Sequence, residues 1–145
     1  MKRHAGFTLI EAMVALVVLA VGMLGIAGLY VTTLRSGGSA IYRMQAVNLA
    51  TDLADRIRAN RTANVAYAGA AVDNNCYGAA AVDCLPAAMA ANDLFVWRAQ
   101  VAASLPGGVA VVAVPAGVAP FTYTITVFWT ETGGQVPSYT LTLQI

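Results

Sequence analysis

The stretch that decides this protein is Gly6-Phe7-Thr8-Leu9-Ile10-Glu11, followed at once by AMVALVVLAVGMLGIAGLYV, Ala12–Val31. From Ala12 to Leu34 no residue is charged. Twenty apolar residues wound as a helix at about 1.5 Å each span roughly 30 Å, the hydrocarbon thickness of a bilayer. Lys2, Arg3 and His4 precede the run, so the positive-inside tendency places the N-terminus in the cytoplasm and the remainder outside. The competing reading is a conventional secretory signal cut near Ala27-Gly28. Its apolar region is only about 7–15 residues long, shorter than this uninterrupted run.

Glu11 is the anomaly, a lone acid at the mouth of an apolar helix. An ionised carboxylate at the centre of a membrane helix costs about 2.5–3.5 kcal/mol, so one entering the bilayer calls for a partner. Two local explanations stand. Thr8-Leu9-Ile10-Glu11 fits the S/T-x-x-E capping box, and the helix dipole favours an acid in the first turn. Alternatively, Glu11 pairs with a cation from another chain.

With its short basic leader and following apolar helix, Gly6–Glu11 resembles the class III signal of type IV pilins and type II secretion pseudopilins. The resemblance implies the α+β pilin fold: a long N-terminal helix, transmembrane then amphipathic, packed on a small C-terminal antiparallel sheet. It also implies that prepilin peptidase cuts between Gly6 and Phe7 and methylates the new Phe7 amine. Glu11, fifth in the mature chain, would then meet the Phe7 amine of a neighbouring subunit. Two opposite charges buried together avoid the penalty each would suffer alone. Gly22, Gly25 and Gly28 recur at every third residue, not at the four-residue spacing of GxxxG. Close helix packing, local softening and the general frequency of glycine in membrane helices all account for them.

Beyond Arg35, Gly37-Gly38 weakens the helix and invites a kink. Ile41, Met44, Leu49, Leu53 and Ile57 fall near a 3.6-residue period and predict an amphipathic continuation to about Asn60. Arg56, Arg58 and Arg61 form a basic cluster at its end. Asp52 and Asp55 stand four and three residues before Arg56 and Arg58, so surface ion pairs and the helix dipole explain the cluster without nucleic acid. The net charge of +1 offers no wider basic face. Leu49–Arg61 (LATDLADRIRANR) and Gly22–Leu29 (GMLGIAGL) resemble the minor pilins called type IV pilus modification protein PilV.

Cys76 and Cys84 enclose seven residues. In the periplasm, where disulfides persist, they are expected to pair; the spacing is not CxxC and no histidine follows, which disfavours a redox or metal pair. Residues 62–86 read as a surface loop rich in Ala, Asn, Asp and Gly. Asn92-Asp93 is expected to cap a second helix over about 92–105, with Leu94, Trp97, Val101 and Leu105 on one face. Leu105-Pro-Gly-Gly108 ends it. Strands are expected at about 109–114, 121–130 and 138–145. In the second, Phe121, Tyr123, Ile125, Val127 and Trp129 alternate with threonines, and Gly133-Gly134 turns the chain into the third. The last strand is expected either to be tied down at its end or to offer an open edge.

No enzyme is expected. The only histidine, His4, lies in the leader, the acids are scattered, and the Gly-Gly steps lack a phosphate-loop context. No catalytic residue, metal or cofactor is assigned. The chain is 59% hydrophobic and only 10% charged, against roughly 25% charged for ordinary soluble domains. That excludes a disordered chain. The organisation expected is a leader at 1–6, a membrane and assembly helix at 7–34, and a periplasmic domain at 35–145. The resemblance implies a minor pilin of a Gram-negative bacterium, in the inner membrane and the extracellular pilus fibre, acting in priming or tip assembly, motility or adhesion. Its partners would be prepilin peptidase, other minor pilins, the major pilin and, before assembly, inner-membrane lipid. A minor pseudopilin of a type II secretion system is the alternative within that resemblance. A membrane-anchored periplasmic binding module is the alternative outside it.

Overall fold

A computed structural model describes residues 6–115 and 119–145. The leader residues Lys2, Arg3 and His4 lie outside the described part. The chain divides into two compact units, Met1–Gly38 and Ser39–Ile145. The first helix, α1, covers Leu9–Ala59, and its helical assignment is continuous through Gly37 and Gly38.

In the first unit every described residue from Gly6 to Leu34 is exposed. The helix is long and apolar enough to cross a membrane, with a mean hydropathy of 2.6 over its most apolar window. Its polar groups are dealt with locally. The hydroxyls of Thr32 and Thr33 both donate to the Leu29 carbonyl, at 2.8 and 2.9 Å. A side-chain donor that finds an acceptor one turn back carries no unpaired polar group into lipid.

The second unit is built on the later part of α1, a 3-10 segment at Arg61–Ala68, helix α2 at Pro86–Ser104, and strands β1 (Val109–Ala113), β2 (Thr122–Phe128) and β3 (Ser138–Gln144). The strands form one antiparallel sheet in the order β1-β2-β3. The register pairs Val112 with Ile125 and Ile125 with Leu141, so the apolar residues share one face. Tyr123, Ile125, Val127 and Trp129 are buried with Leu53, Ile57, Leu94, Trp97 and Val101 in a single core. Phe121 and Ile145 exchange backbone hydrogen bonds, N to O, at 2.6 and 3.0 Å. That ties down the last residue, while β3 remains an edge of the sheet.

The core-facing stripe of α1 differs from the expected one. Ala46, Ala50, Leu53, Ala54 and Ile57 are fully buried, whereas Ile41 and Met44 are exposed. At about 100° per residue, Ile41 and Met44 lie on nearly the opposite side of the helix from Ala50 and Ile57. Alanines on the inward stripe leave room for the large side chains Trp97 and Tyr67, both fully buried.

Helix α2 also departs from the sequence reading. It begins at Pro86, not near Asn92, with Leu85 extended before it and proline in its first turn. Proline suits that position because the amide it lacks would have no intrahelical partner. Asn92 and Asp93 are therefore not caps: they lie inside the helix, 1% and 2% exposed. The stretch read as a loop contains the 3-10 segment, whose Ala63 and Tyr67 are buried. Strand β2 stops at Phe128, because Trp129 and Thr130 leave the ladder to donate to the carbonyls of Pro137 and Pro106. The turn that follows places Gly133 and Gly134 at φ +100° and +76°, a conformation that glycine adopts without strain.

Candidate functional site

Two constellations stand out, one in each unit. In the first, Gly6, Phe7 and Thr8 precede the helix without regular structure, and Phe7 is 83% exposed. The first turn is closed by the Thr8 carbonyl, which accepts from the Glu11 and Ala12 amides at 3.1 and 3.3 Å. Backbone thus performs the capping that the Thr8–Glu11 pattern suggested for side chains. Glu11 is exposed in that first turn, and it has no ion-pair partner among the described residues. Gly22, Gly25 and Gly28 have open space where a Cβ would stand, so close approach of another helix is sterically available along that stretch.

In the second unit a polar cluster surrounds Asp93. Its Oδ2 accepts from the Tyr67 hydroxyl at 2.7 Å. Its Oδ1 accepts from Arg56 Nη1 at 3.2 Å and from the Tyr77 hydroxyl. Arg56 also donates through Nε to Asp52 at 3.0 Å, and its guanidinium carbon lies 6.0 Å from the Tyr77 ring centre. The i,i+4 pair expected between Asp52 and Arg56 is present, as is the Asp55–Arg58 pair at 2.6 Å. The contact from Arg56 to Asp93 spans 37 residues, and no local pattern announces it.

The electrostatics follow from this geometry. Burial, followed by the bond to Asp93, raises the Tyr67 hydroxyl well above the ordinary tyrosine range. The same two causes push Tyr77 up to about 12. For Arg56, burial acts to lower the pKa, but the Asp52 and Asp93 carboxylates outweigh it and the net displacement is upward. Both tyrosines thus remain protonated donors and Arg56 remains a cation. Three donors converge on one carboxylate, an arrangement suited to holding a carboxylate in place.

Cys76 and Cys84 form a disulfide with Cα atoms 5.8 Å apart. The loop they close carries Tyr77 to Asp93. Asn92, beside Asp93 on α2, accepts from the Asn74 amide at 2.8 Å and the Cys76 amide at 3.4 Å. Between the loop and the helices is a cavity of about 340 Å³ lined by Arg56, Asn60, Tyr77, Pro86, Met89 and Asp93, among others. Among the described residues no group of three or more His, Cys, Asp or Glu could hold a metal.

A third, smaller contact closes the far side of the domain. Glu131 Oε1 accepts from Trp129 Nε1 at 2.9 Å and from the Ser39 hydroxyl at 2.8 Å. These bonds, that of Trp129 first, hold the Glu131 carboxyl below its ordinary range. Trp97 is a core anchor as its spacing suggested, and its Nε1 donates to the Leu49 carbonyl at 2.8 Å.

The geometry defines a class: an α+β protein whose N-terminal helix presents an apolar surface suited to lipid or other helices. Two family models then place it. Residues 1–27 match the prokaryotic N-terminal methylation motif, and residues 28–95 match the model described as type IV pilin Tt1218. No curated protein and no solved structure matches the chain significantly. The chain is a type IV pilin-like protein with a prepilin N-methylation motif, a structural and non-enzymatic protein. The motif implies processing by prepilin peptidase. The N-terminal hydrophobic helix is consistent with a location in the inner membrane or the pilus.

Proposed function

We propose that this chain is a minor pilin of the type IV pilus, cut between Gly6 and Phe7, N-methylated at Phe7, and acting in the priming or tip complex. The observation that carries the reading is the single acid, Glu11, exposed in the first turn of an otherwise charge-free apolar helix. The leader is then 1–6, the membrane and assembly helix 7–34 and the periplasmic domain 35–145. After cleavage the Phe7 amine is a new cation. Glu11 of one subunit pairs with that amine on a neighbour, which relieves both charges of burial in an apolar surround. The likeness of Gly22–Leu29 and Leu49–Arg61 to PilV-type minor pilins favours a minor subunit over a pseudopilin. Its partners are the peptidase, other minor pilins, the major pilin and inner-membrane lipid before assembly.

The test begins with the N-terminus of the membrane-extracted protein. A start at methylated Phe7 is expected; a start near Leu29 would overturn the reading. Glu11→Ala should be cleaved and folded normally but enter filaments poorly. An unpaired group costing about 2.5–3.5 kcal/mol corresponds to roughly two orders of magnitude in incorporation. Normal entry of that variant removes the pairing role. Deletion should abolish surface pili; loss of enzyme secretion with pili intact would assign the chain to a type II system instead.

A further inference from the structure

The disulfide loop and the buried carboxylate are parts of one device. Cys76 is buried and anchored through its amide to Asn92, but the returning limb is not. Gly78 to Asp83 are all exposed. The bonds that shape the loop, from the Val82 amide to the Asn75 carbonyl and from Asn75 Nδ2 to the Ala80 carbonyl, stay within it. From Tyr77 onward its hold on the rest of the domain is the Tyr77 hydroxyl on Asp93 and the sulfur bridge back to Cys76. Solvent-exposed hydrogen bonds within a loop contribute little net stability. The covalent closure therefore supplies the ordering that keeps Tyr77 over Asp93 and the cavity beside it.

We propose that the Cys76–Cys84 loop is a redox-releasable cover, latched by Tyr77 on Asp93, that lifts from the cavity at Arg56, Asn60 and Met89 when a dithiol reduces the bridge. In that step a thiolate of the dithiol attacks one sulfur of the bridge and forms a mixed disulfide. The second thiol of the reductant then closes its own disulfide and releases the protein. Two electrons and two protons arrive on Cys76 and Cys84 as thiols, and the dithiol is oxidised. Without the crosslink, one hydrogen bond from Tyr77 does not offset the entropy of ordering the loop. Asp93 keeps Tyr67 and Arg56, so α2 and the core remain in place.

The experiment uses the full chain in detergent micelles, with and without dithiothreitol, read by amide hydrogen exchange. Reduction should speed exchange at Ala81 and Val82 at least tenfold while α2 from Met89 to Val101 stays protected. Unchanged loop exchange, with both thiols shown by alkylation to be free, overturns the proposal. Equal acceleration in α2 also overturns it, because the bridge would then be a global staple. A double-mutant cycle gives an independent reading. Tyr77→Phe should lower the Tm of the oxidised chain but have no effect in a Cys76→Ser/Cys84→Ser background, whereas Tyr67→Phe should cost the same in both. An equal loss from Tyr77→Phe in the two backgrounds overturns the latch. If the serine pair does not fold, the exchange measurement decides alone.

Discussion

Removing the Asp93 carboxylate tests how the domain is held. In Asp93→Ala three donors lose their acceptor, and each has a different fallback. The buried Tyr67 hydroxyl retains a longer contact to the Arg56 carbonyl, at 3.3 Å. Tyr77 is 46% exposed and can turn to water. Arg56 keeps Asp52. Each loss is then a partial one, about 0.5–1 kcal/mol, and not the full penalty of an orphaned buried group. The burial cost of the carboxylate itself is recovered, which offsets part of the sum. The net expectation is a loss of about 2 kcal/mol, or roughly 8–16 °C in Tm for a domain of about 100 residues. Asp93→Asn should cost about 1 kcal/mol, because its amide retains one acceptor and Tyr67 can reverse its hydroxyl toward the Arg56 carbonyl. Trp97 and Trp129, the only tryptophans and both fully buried, make intrinsic fluorescence a direct reading of this unit during a thermal or denaturant ramp. A loss under about 0.5 kcal/mol in Asp93→Ala, or an Asp93→Asn variant less stable than Asp93→Ala, would refute the convergent-donor account.

Two further changes probe other contacts. Glu131 has its folded pKa below the ordinary value of 4.5, so its contribution is present above that pH and is lost as the pH falls through the lowered folded value. The stability difference between wild type and Glu131→Gln should therefore narrow as unfolding is measured from pH 6 down to pH 3. A difference that stays constant over this range would remove the charge from the account. At the turn from α2 into β1, a Cβ on Gly108 would sit 2.4 Å from the Val101 carbonyl oxygen, a backbone atom that cannot swing away. Gly108→Ala should cost about 1–3 kcal/mol by denaturant unfolding. Gly37→Ala, at a helical position with open space, should cost nothing.

Legibility followed the range of the interactions. The strands of the sheet and the inward row Tyr123, Ile125, Val127 and Trp129 were readable because alternation along one strand records which face is buried. Leu94, Trp97 and Val101 were readable on α2 for the analogous reason at helical spacing. The Asn92-Asp93 reading failed because the same polar residues that cap helices also serve as buried hydrogen-bond partners. The start of α2 at Pro86, ahead of an alanine-rich turn, carries no polar cap to mark it. The stripe on α1 was misplaced because alanine is a weak hydrophobic signal, and larger residues on the opposite side drew the pattern toward them. Arg56 was assigned its neighbour Asp52 but not Asp93, since a contact between residues 37 apart is set by how two helices meet.

The sequence by itself determined the N-terminal helix and its chemistry. A charge-free run long enough for a bilayer, with one acid in its first turn, acts through local helix formation and through lipid, and neither needs the rest of the chain. The tertiary structure alone decided which alanines of α1 face inward and that Asp93 gathers Tyr67, Tyr77 and Arg56. It also decided that the disulfide loop carries one of those donors. Each of these depends on side chains distant in sequence competing for the same interior. A buried carboxylate is tolerable only where the donors that satisfy it have been brought together by the packing of the whole domain.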